Sequence, residues 1–265
     1  MLVSFGLTAC GGSDDPSEPQ SLAFTAAPEG DGVKVTGPTT AESGLAGISF
    51  QNDGDKESDL QLIRTEGDES VDDAVEATKS AIKGDPVPDW LLLAGGVGAT
   101  AADESQSVTQ VLEPGTYYAF DTSGQPNSEF AATIEVDGDA FDETVEADAE
   151  ISAFEYGFET DGLTTGMNQI LFKNTGAQPH HIIYAPIVGD ATVADLEESI
   201  KSESGPPPID EKKVKSTAVL EGGTDQLIDV DFAEPGRYAL ICFISDRQGG
   251  PPHALKGMIA EVDVE

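Results

Sequence analysis

Apolar and polar residues alternate in short runs along most of this chain, and the runs are bounded by Gly, Pro and Asn. A period of two with β-branched or aromatic residues predicts half-buried strands. In the first part they fall at 48–50, 60–63, 107–112, 116–120 and 131–136. In the second part they fall at 149–158, 168–173, 181–184, 216–220, 226–232, 236–243 and 258–264. Two segments break the rule: Val71, Val75, Thr78 and Ile82, and later Val193, Leu196 and Ile200, recur at helical spacing. A Pro-bearing loop follows each, Asp85–Pro88 and Gly205–Pro208. About seven short strands in each half predict a β-sandwich, with helix and Pro loop inserted between two edge strands.

The halves also match each other. Gly44, Ile48, Phe50, Asn52 and Gly54 recur 122 positions later as Gly166, Ile170, Phe172, Asn174 and Gly176. Glu113-Pro-Gly-Thr-Tyr117 recurs as Glu234-Pro-Gly-Arg-Tyr238, and Glu135-Val136 answers Glu261-Val262. A shared order of strand, helix, Pro loop and strands predicts two copies of one domain. The expected boundaries are 1–20 for a leader and linker, 21–137 for the first copy and 145–265 for the second.

Charge narrows the classes of function. Fifty acidic against thirteen basic residues give a net charge of −37. Phosphate backbones need Lys and Arg, so nucleic acid is excluded as a partner. Leu7-Thr-Ala-Cys10 followed by Gly11-Gly12 reads as a lipobox, which implies export and a lipid anchor on Cys10. The apolar run before it is short and holds no basic residue. No other segment approaches the ~20 apolar residues that a membrane-spanning helix needs. The expected location is outside the cytoplasm, tethered to a bacterial or archaeal cell membrane.

In that setting Cys242 is an odd thiol, because lipid would consume the only other cysteine. It lies eleven residues before His253, with Met258 beyond, and Pro179-His180-His181 stands upstream. One thiolate, two imidazoles and a weak thioether make the donor set of a type 1 copper site. All three histidines of the chain lie in these two motifs. Zinc accepts Cys and two His as well, but leaves Met258 without a role. The motifs of common hydrolases and phosphate loops are absent, so an enzyme is not expected. A scaffold or adhesion lipoprotein of two inert sandwiches is the alternative from another class.

Asn174-Thr-Gly-Ala-Gln-Pro-His180, Pro235-Gly-Arg-Tyr-Ala-Leu-Ile-Cys242 and His253-Ala-Leu-Lys-Gly-Met258 together resemble the cupredoxins. The resemblance covers residues 145–265. It implies an all-β fold of two tandem cupredoxin-like Greek-key β-sandwiches, each with a short helical insertion. It further implies one copper ion, with His180, Cys242 and His253 as strong equatorial ligands and Met258 as the weak axial one. One-electron transfer to a redox partner protein, or exchange of copper with a donor or acceptor, would follow. Two departures stand out. Ten residues separate Cys242 from His253, a long loop for this family, and His181 competes with His180 for the ligand position. The first copy carries Ser58, Asp121, Asn127 and Ala132 where the second has His180, Cys242, His253 and Met258. It is therefore expected to bind no copper.

Overall fold

A computed structural model describes residues 18–30, 32–123, 132–140, 144–202 and 205–265. Cys10 and Asn127 lie outside these residues. The first half contains β1 (Gln20–Glu29), β2 (Gly32–Thr36), β3 (Thr40–Glu42), β4 (Gly44–Asn52), β5 (Ser58–Thr65), α1 (Val71–Ile82), β6 (Leu91–Thr100), β7 (Ser105–Leu112), β8 (Gly115–Phe120) and β9 (Ala132–Asp137). The second contains β10 (Ala149–Phe154), β11 (Gly157–Asp161), β12 (Gly166–Asn174), β13 (Ile183–Pro186), α2 (Val193–Ser202), β14 (Lys215–Ser216), β15 (Asp225–Phe232), β16 (Gly236–Ile241) and β17 (Ile259–Val264).

The protein is all-β in its framework, and its strands form three sheets. One has eight strands in the order β11-β10-β12-β15-β7-β4-β1-β2, so it runs through both halves. A five-stranded sheet, β3-β9-β8-β5-β6, belongs to the first half, and a four-stranded sheet, β14-β13-β16-β17, to the second. Pairings correspond from half to half: β1 lies parallel to β4 as β10 lies parallel to β12, and β8 pairs with β9 as β16 pairs with β17. One buried apolar cluster includes Phe24, Ile48 and Phe50 of the first half together with Phe172, Phe232 and Met258 of the second.

The halves meet edge to edge. β7 and β15 pair antiparallel through Thr109–Leu227 and Val108–Ile228. Buried glutamines reinforce the seam. Gln226 donates to Gln110 at 2.6 Å and to the Gly96 carbonyl at 2.7 Å. Gln61 donates to the Val219 carbonyl at 3.1 Å and accepts from the Val219 N–H at 2.9 Å. A buried amide network of this kind fixes one relative orientation, because any slip strands desolvated polar atoms.

The matched sequence motifs have local causes. The Tyr117 and Tyr238 hydroxyls fold back to donate to the Glu113 and Glu234 carbonyls at 3.0 and 2.9 Å, so each Glu-Pro-Gly-x-Tyr motif is a pinned corner. Ser70 caps α1 with Asp73, and Thr192 with Asp195 does the same at α2.

Several expectations need correction. The run 149–158 is two strands forming a hairpin. Each helix joins an edge strand to an inner one, since β5 lies between β8 and β6 and β13 lies between β14 and β16. The run 216–220 pairs as a strand only at Lys215–Ser216. Glu135-Val136 matches Asp263-Val264 rather than Glu261-Val262, because Val136 pairs with Gly115 as Val264 pairs with Gly236. The two-residue slip keeps the same side chains inward, so the sequence match looked equally good. Met258 then corresponds to position 130, outside the described residues, instead of Ala132.

Candidate metal centre

Four segments deliver the site. The turn after β12 carries His180, β16 ends one residue before Cys242, a 3-10 turn begins at His253, and Met258 precedes β17. His180, Cys242, His253 and Met258 are all 0% exposed.

Asn174 sets the first turn. Its amide donates to the Gln178 carbonyl at 2.7 Å and the Leu220 carbonyl at 3.0 Å, while its oxygen accepts from the Gly176 N–H at 3.1 Å. His180 then pairs with Leu220 through both backbone groups, at 3.0 and 2.8 Å. The other ligands are stapled by backbone. Cys242 N–H donates to the Met258 carbonyl at 3.2 Å, Ala254 N–H to the Cys242 carbonyl at 2.7 Å, and Met258 N–H to the His253 carbonyl at 3.0 Å. Gly257 takes φ 97°, a left-handed conformation that lets the 3-10 turn end and β17 begin.

The donor atoms converge. Cys242 Sγ lies 3.8 Å from His180 Nδ1 and 3.6 Å from His253 Nδ1, and the two Nδ1 atoms are 3.1 Å apart. The centre of that triangle is about 2.0 Å from each donor, close to a metal–imidazole bond of about 2.0–2.1 Å. The three residues therefore form a group that fits one copper ion.

An outer partner sets the tautomer of His253. Asp246 Oδ1 accepts from His253 Nε2 at 3.0 Å and from the Tyr156 hydroxyl at 2.8 Å. Lys256 pairs with the other Asp246 oxygen and stands 4.6 Å above the Tyr156 ring. A proton held on Nε2 by a carboxylate leaves the Nδ1 lone pair facing Cys242. His180 Nε2 has no hydrogen-bond partner and lies 3.6 Å from Glu155 Oε1. Burial, then the charge of His253, pushes His180 down to about 4, and burial also lowers His253. Burial lifts the Cys242 thiol to about 12. Burial thus favours neutral groups here, and a cation between the three donors would stabilise a thiolate.

His181 does not join the cluster. Its Nε2 accepts from the Phe243 N–H at 3.0 Å, and burial, then the charge of His253, holds it down to about 3. Asp59, the residue after Ser58, does the same in the first half: its carboxylate accepts from the Thr122 N–H at 2.5 Å. His181 is therefore a strap on the cysteine loop, and His180 is the one of the two adjacent histidines whose Nδ1 faces Cys242. Ser58 and Asp121 stand in the first half where His180 and Cys242 stand in the second. Ser58 Oγ is buried without a partner. Among the described residues, His180, Cys242 and His253 form the only such metal-ligand group.

Asp246 and Tyr156 carried no sequence signal. Asp246 lies inside the long Cys-to-His loop, and Tyr156 in the β10–β11 hairpin.

No family model matches this chain, and no curated protein does. Similar solved structures include dithionite-reduced auracyanin from Roseiflexus castenholzii, 26% identical, covering 44% of this chain and 94% of that one with a TM-score of 0.29. Auracyanin A, a "blue" copper protein from Chloroflexus aurantiacus, is 16% identical, with coverages of 45% and 100% and a TM-score of 0.34. Copper nitrite reductase from Nitrosomonas europaea is 14% identical, covering 93% of both chains with a TM-score of 0.28. By its own strand pairing and donor set, this chain is an all-β protein with a group suited to one copper ion.

Proposed function

We propose that the protein carries single electrons at one mononuclear copper site, held by His180, Cys242 and His253 with Met258 as a weak axial ligand. The observation that carries this reading is the convergence of two Nδ1 atoms and one thiol in a pocket closed to water. Two imidazole lone pairs facing each other at 3.1 Å repel unless a proton or a cation lies between them. A bound copper ion would supply a Cu(I)/Cu(II) couple there.

The chain's own residues do the rest. Asp246 orients His253, the Asn174 turn orients His180, and backbone bonds to Ala254 and Met258 hold Cys242. A site held this firmly changes little between two oxidation states, which favours fast electron exchange with a redox partner protein over turnover of a substrate.

Three further parts belong to this proposal. The matching corners, asparagine turns and strand pairings support two copies of one domain, residues 21–137 and 145–265, with the first copper-free. Leu7–Cys10 supports a lipid anchor that tethers the protein outside the cytoplasm. No helix among the described residues is long and apolar enough to cross a membrane. Metal analysis of the full chain beside Cys242→Ser tests the centre. One copper per wild-type chain and none in the variant is expected, and equal content in both would overturn the assignment.

A further inference from the structure

The ten residues between Cys242 and His253 make little regular structure of their own, yet the donor triangle needs His253 at a fixed place. The anchor for this loop comes from the other half of the molecule. Val87 N–H donates to the Arg247 carbonyl at 2.7 Å, and Gly250 N–H donates to the Gly84 carbonyl at 3.1 Å. Gly249, at φ 79°, sits so close that a Cβ there would fall 2.7 Å from the Gly84 carbonyl oxygen and 3.1 Å from Pro86 N. The loop and the Pro-bearing segment after α1 therefore abut backbone to backbone.

Arg247 locks the contact. Its guanidinium donates to the Pro88 and Leu91 carbonyls at 2.8 and 3.0 Å and pairs with Glu221 at 2.6 Å. Glu221 also accepts from the Leu93 N–H at 3.1 Å, and its own N–H donates to the Leu93 carbonyl at 2.7 Å. The Arg247 and Glu221 side chains are 13% and 14% exposed, so this hydrogen-bonded charge pair is largely desolvated. On its other side the Arg247 N–H donates to Gln178 Oε1 at 2.8 Å, two residues before His180. Arg247 thus joins three pieces: the first half, the loop before His253 and the turn before His180.

We infer that the first half serves as a clamp for the metal loop, its Gly84–Leu91 segment holding residues 243–252 so that His253 meets His180 and Cys242. Two prolines, Pro86 and Pro88, fix φ in that segment, which suits a stiff template. This gives the first half a function that does not require ligands of its own. It rests on the proposed copper reading only for the identity of the ion, because every contact named is made by the chain's own atoms. Arg247 is a positioning residue that acts through the loop.

The test uses the metal-free full chain and two variants, Arg247→Met, which keeps most of the apolar stem, and Gly249→Val, which wedges the two backbones apart. Hydrogen exchange of residues 243–252 and 84–91 should rise about tenfold to a hundredfold in Arg247→Met, as expected when a charged hydrogen bond is lost from a local opening equilibrium. Labelling of the buried Cys242 thiol should quicken by a similar factor, while exchange in β12 stays unchanged. Arg237→Met, which breaks an arginine pair with Glu261 away from the loop, should leave loop exchange and labelling as they are. Loop exchange and labelling equal to wild type in both loop variants would overturn the clamp. A wild-type chain that binds no copper, with the exchange changes still present, would sink the copper reading and leave the clamp standing.

Discussion

The Nδ1 atoms of His180 and His253 lie 3.1 Å apart, and Cys242 Sγ closes the triangle at 3.8 and 3.6 Å. No strand or helix contains all three residues. The triangle exists because the Asn174 turn, the end of β16 and the 3-10 turn at His253 are each fixed by backbone bonds. Removing Asp246 should loosen only one corner of it. Asp246→Ala is expected to weaken copper binding by about 10- to 100-fold, the usual effect of losing an outer partner of a ligating histidine. Competition with a chelator of known affinity measures this. Unchanged affinity would remove the orienting role of Asp246.

Asn174 and Asn52 allow a paired experiment. Asn52 donates to the Lys56 and Thr100 carbonyls at 2.8 and 2.9 Å, as Asn174 does to Gln178 and Leu220. Each Asn→Ala change strands buried carbonyls and should destabilise the metal-free protein by about 2 kcal/mol in urea unfolding. Only Asn174→Ala should also lower copper affinity. An equal loss of affinity from Asn52→Ala would mean that the effect is global stability alone.

The histidines give a pH dependence. His180 and His181 are pushed down to about 4 and about 3 by burial, whereas an unfolded imidazole titrates near 6.5. The unfolded chain therefore binds more protons below about pH 6.5, and metal-free stability falls as pH drops toward 4. His180 alone, 0% exposed, accounts for roughly 3 kcal/mol of that fall, taking about 1.4 kcal/mol per unit. Urea unfolding at pH 7 and pH 4.5 checks it, with His180→Gln expected to reduce the slope. A slope unchanged in His180→Gln contradicts the assignment.

Asp59 has the opposite sign. Burial, then the neighbouring Asp121, raises it to about 8. The folded chain then keeps a proton that the unfolded chain loses near 4, so stability falls as pH climbs from about 4 to 8. Asp59→Asn retains an acceptor for the Thr122 N–H and gains a donor for its hydroxyl. It should raise the melting temperature at pH 8 and have little effect at pH 4. A lower melting temperature at pH 8 would show that the charged form is tolerated.

The site motifs were legible because chemistry restricts them: few residue types bind copper, and the chain holds three histidines in all. The matching corners were legible because Glu-Pro-Gly-x-Tyr encodes a local hydrogen bond. Long-range geometry was less visible. Nothing in the alternation of β7 and β15 says that these two edges pair, since an edge strand has the same inward pattern whether or not it is covered. β6 escaped notice because Gly95, Gly96 and Gly98 read as loop. They are there because other chain passes close by: a Cβ on Gly98 would lie 1.8 Å from the Ser216 carbonyl oxygen. The β9–β17 register misled because a slip of two residues preserves the buried face. Asp246 and Arg247 sit in a loop whose sequence has no period, and only the fold brings them to His253 and to the first half.

The most direct test of the central claim is the visible spectrum of the full chain after addition of one equivalent of Cu(II). An intense blue thiolate-to-copper absorption, lost in Cys242→Ser and retained in His181→Gln, is the predicted result. A colourless protein whose Cys242 thiol stays reactive after copper addition would contradict it.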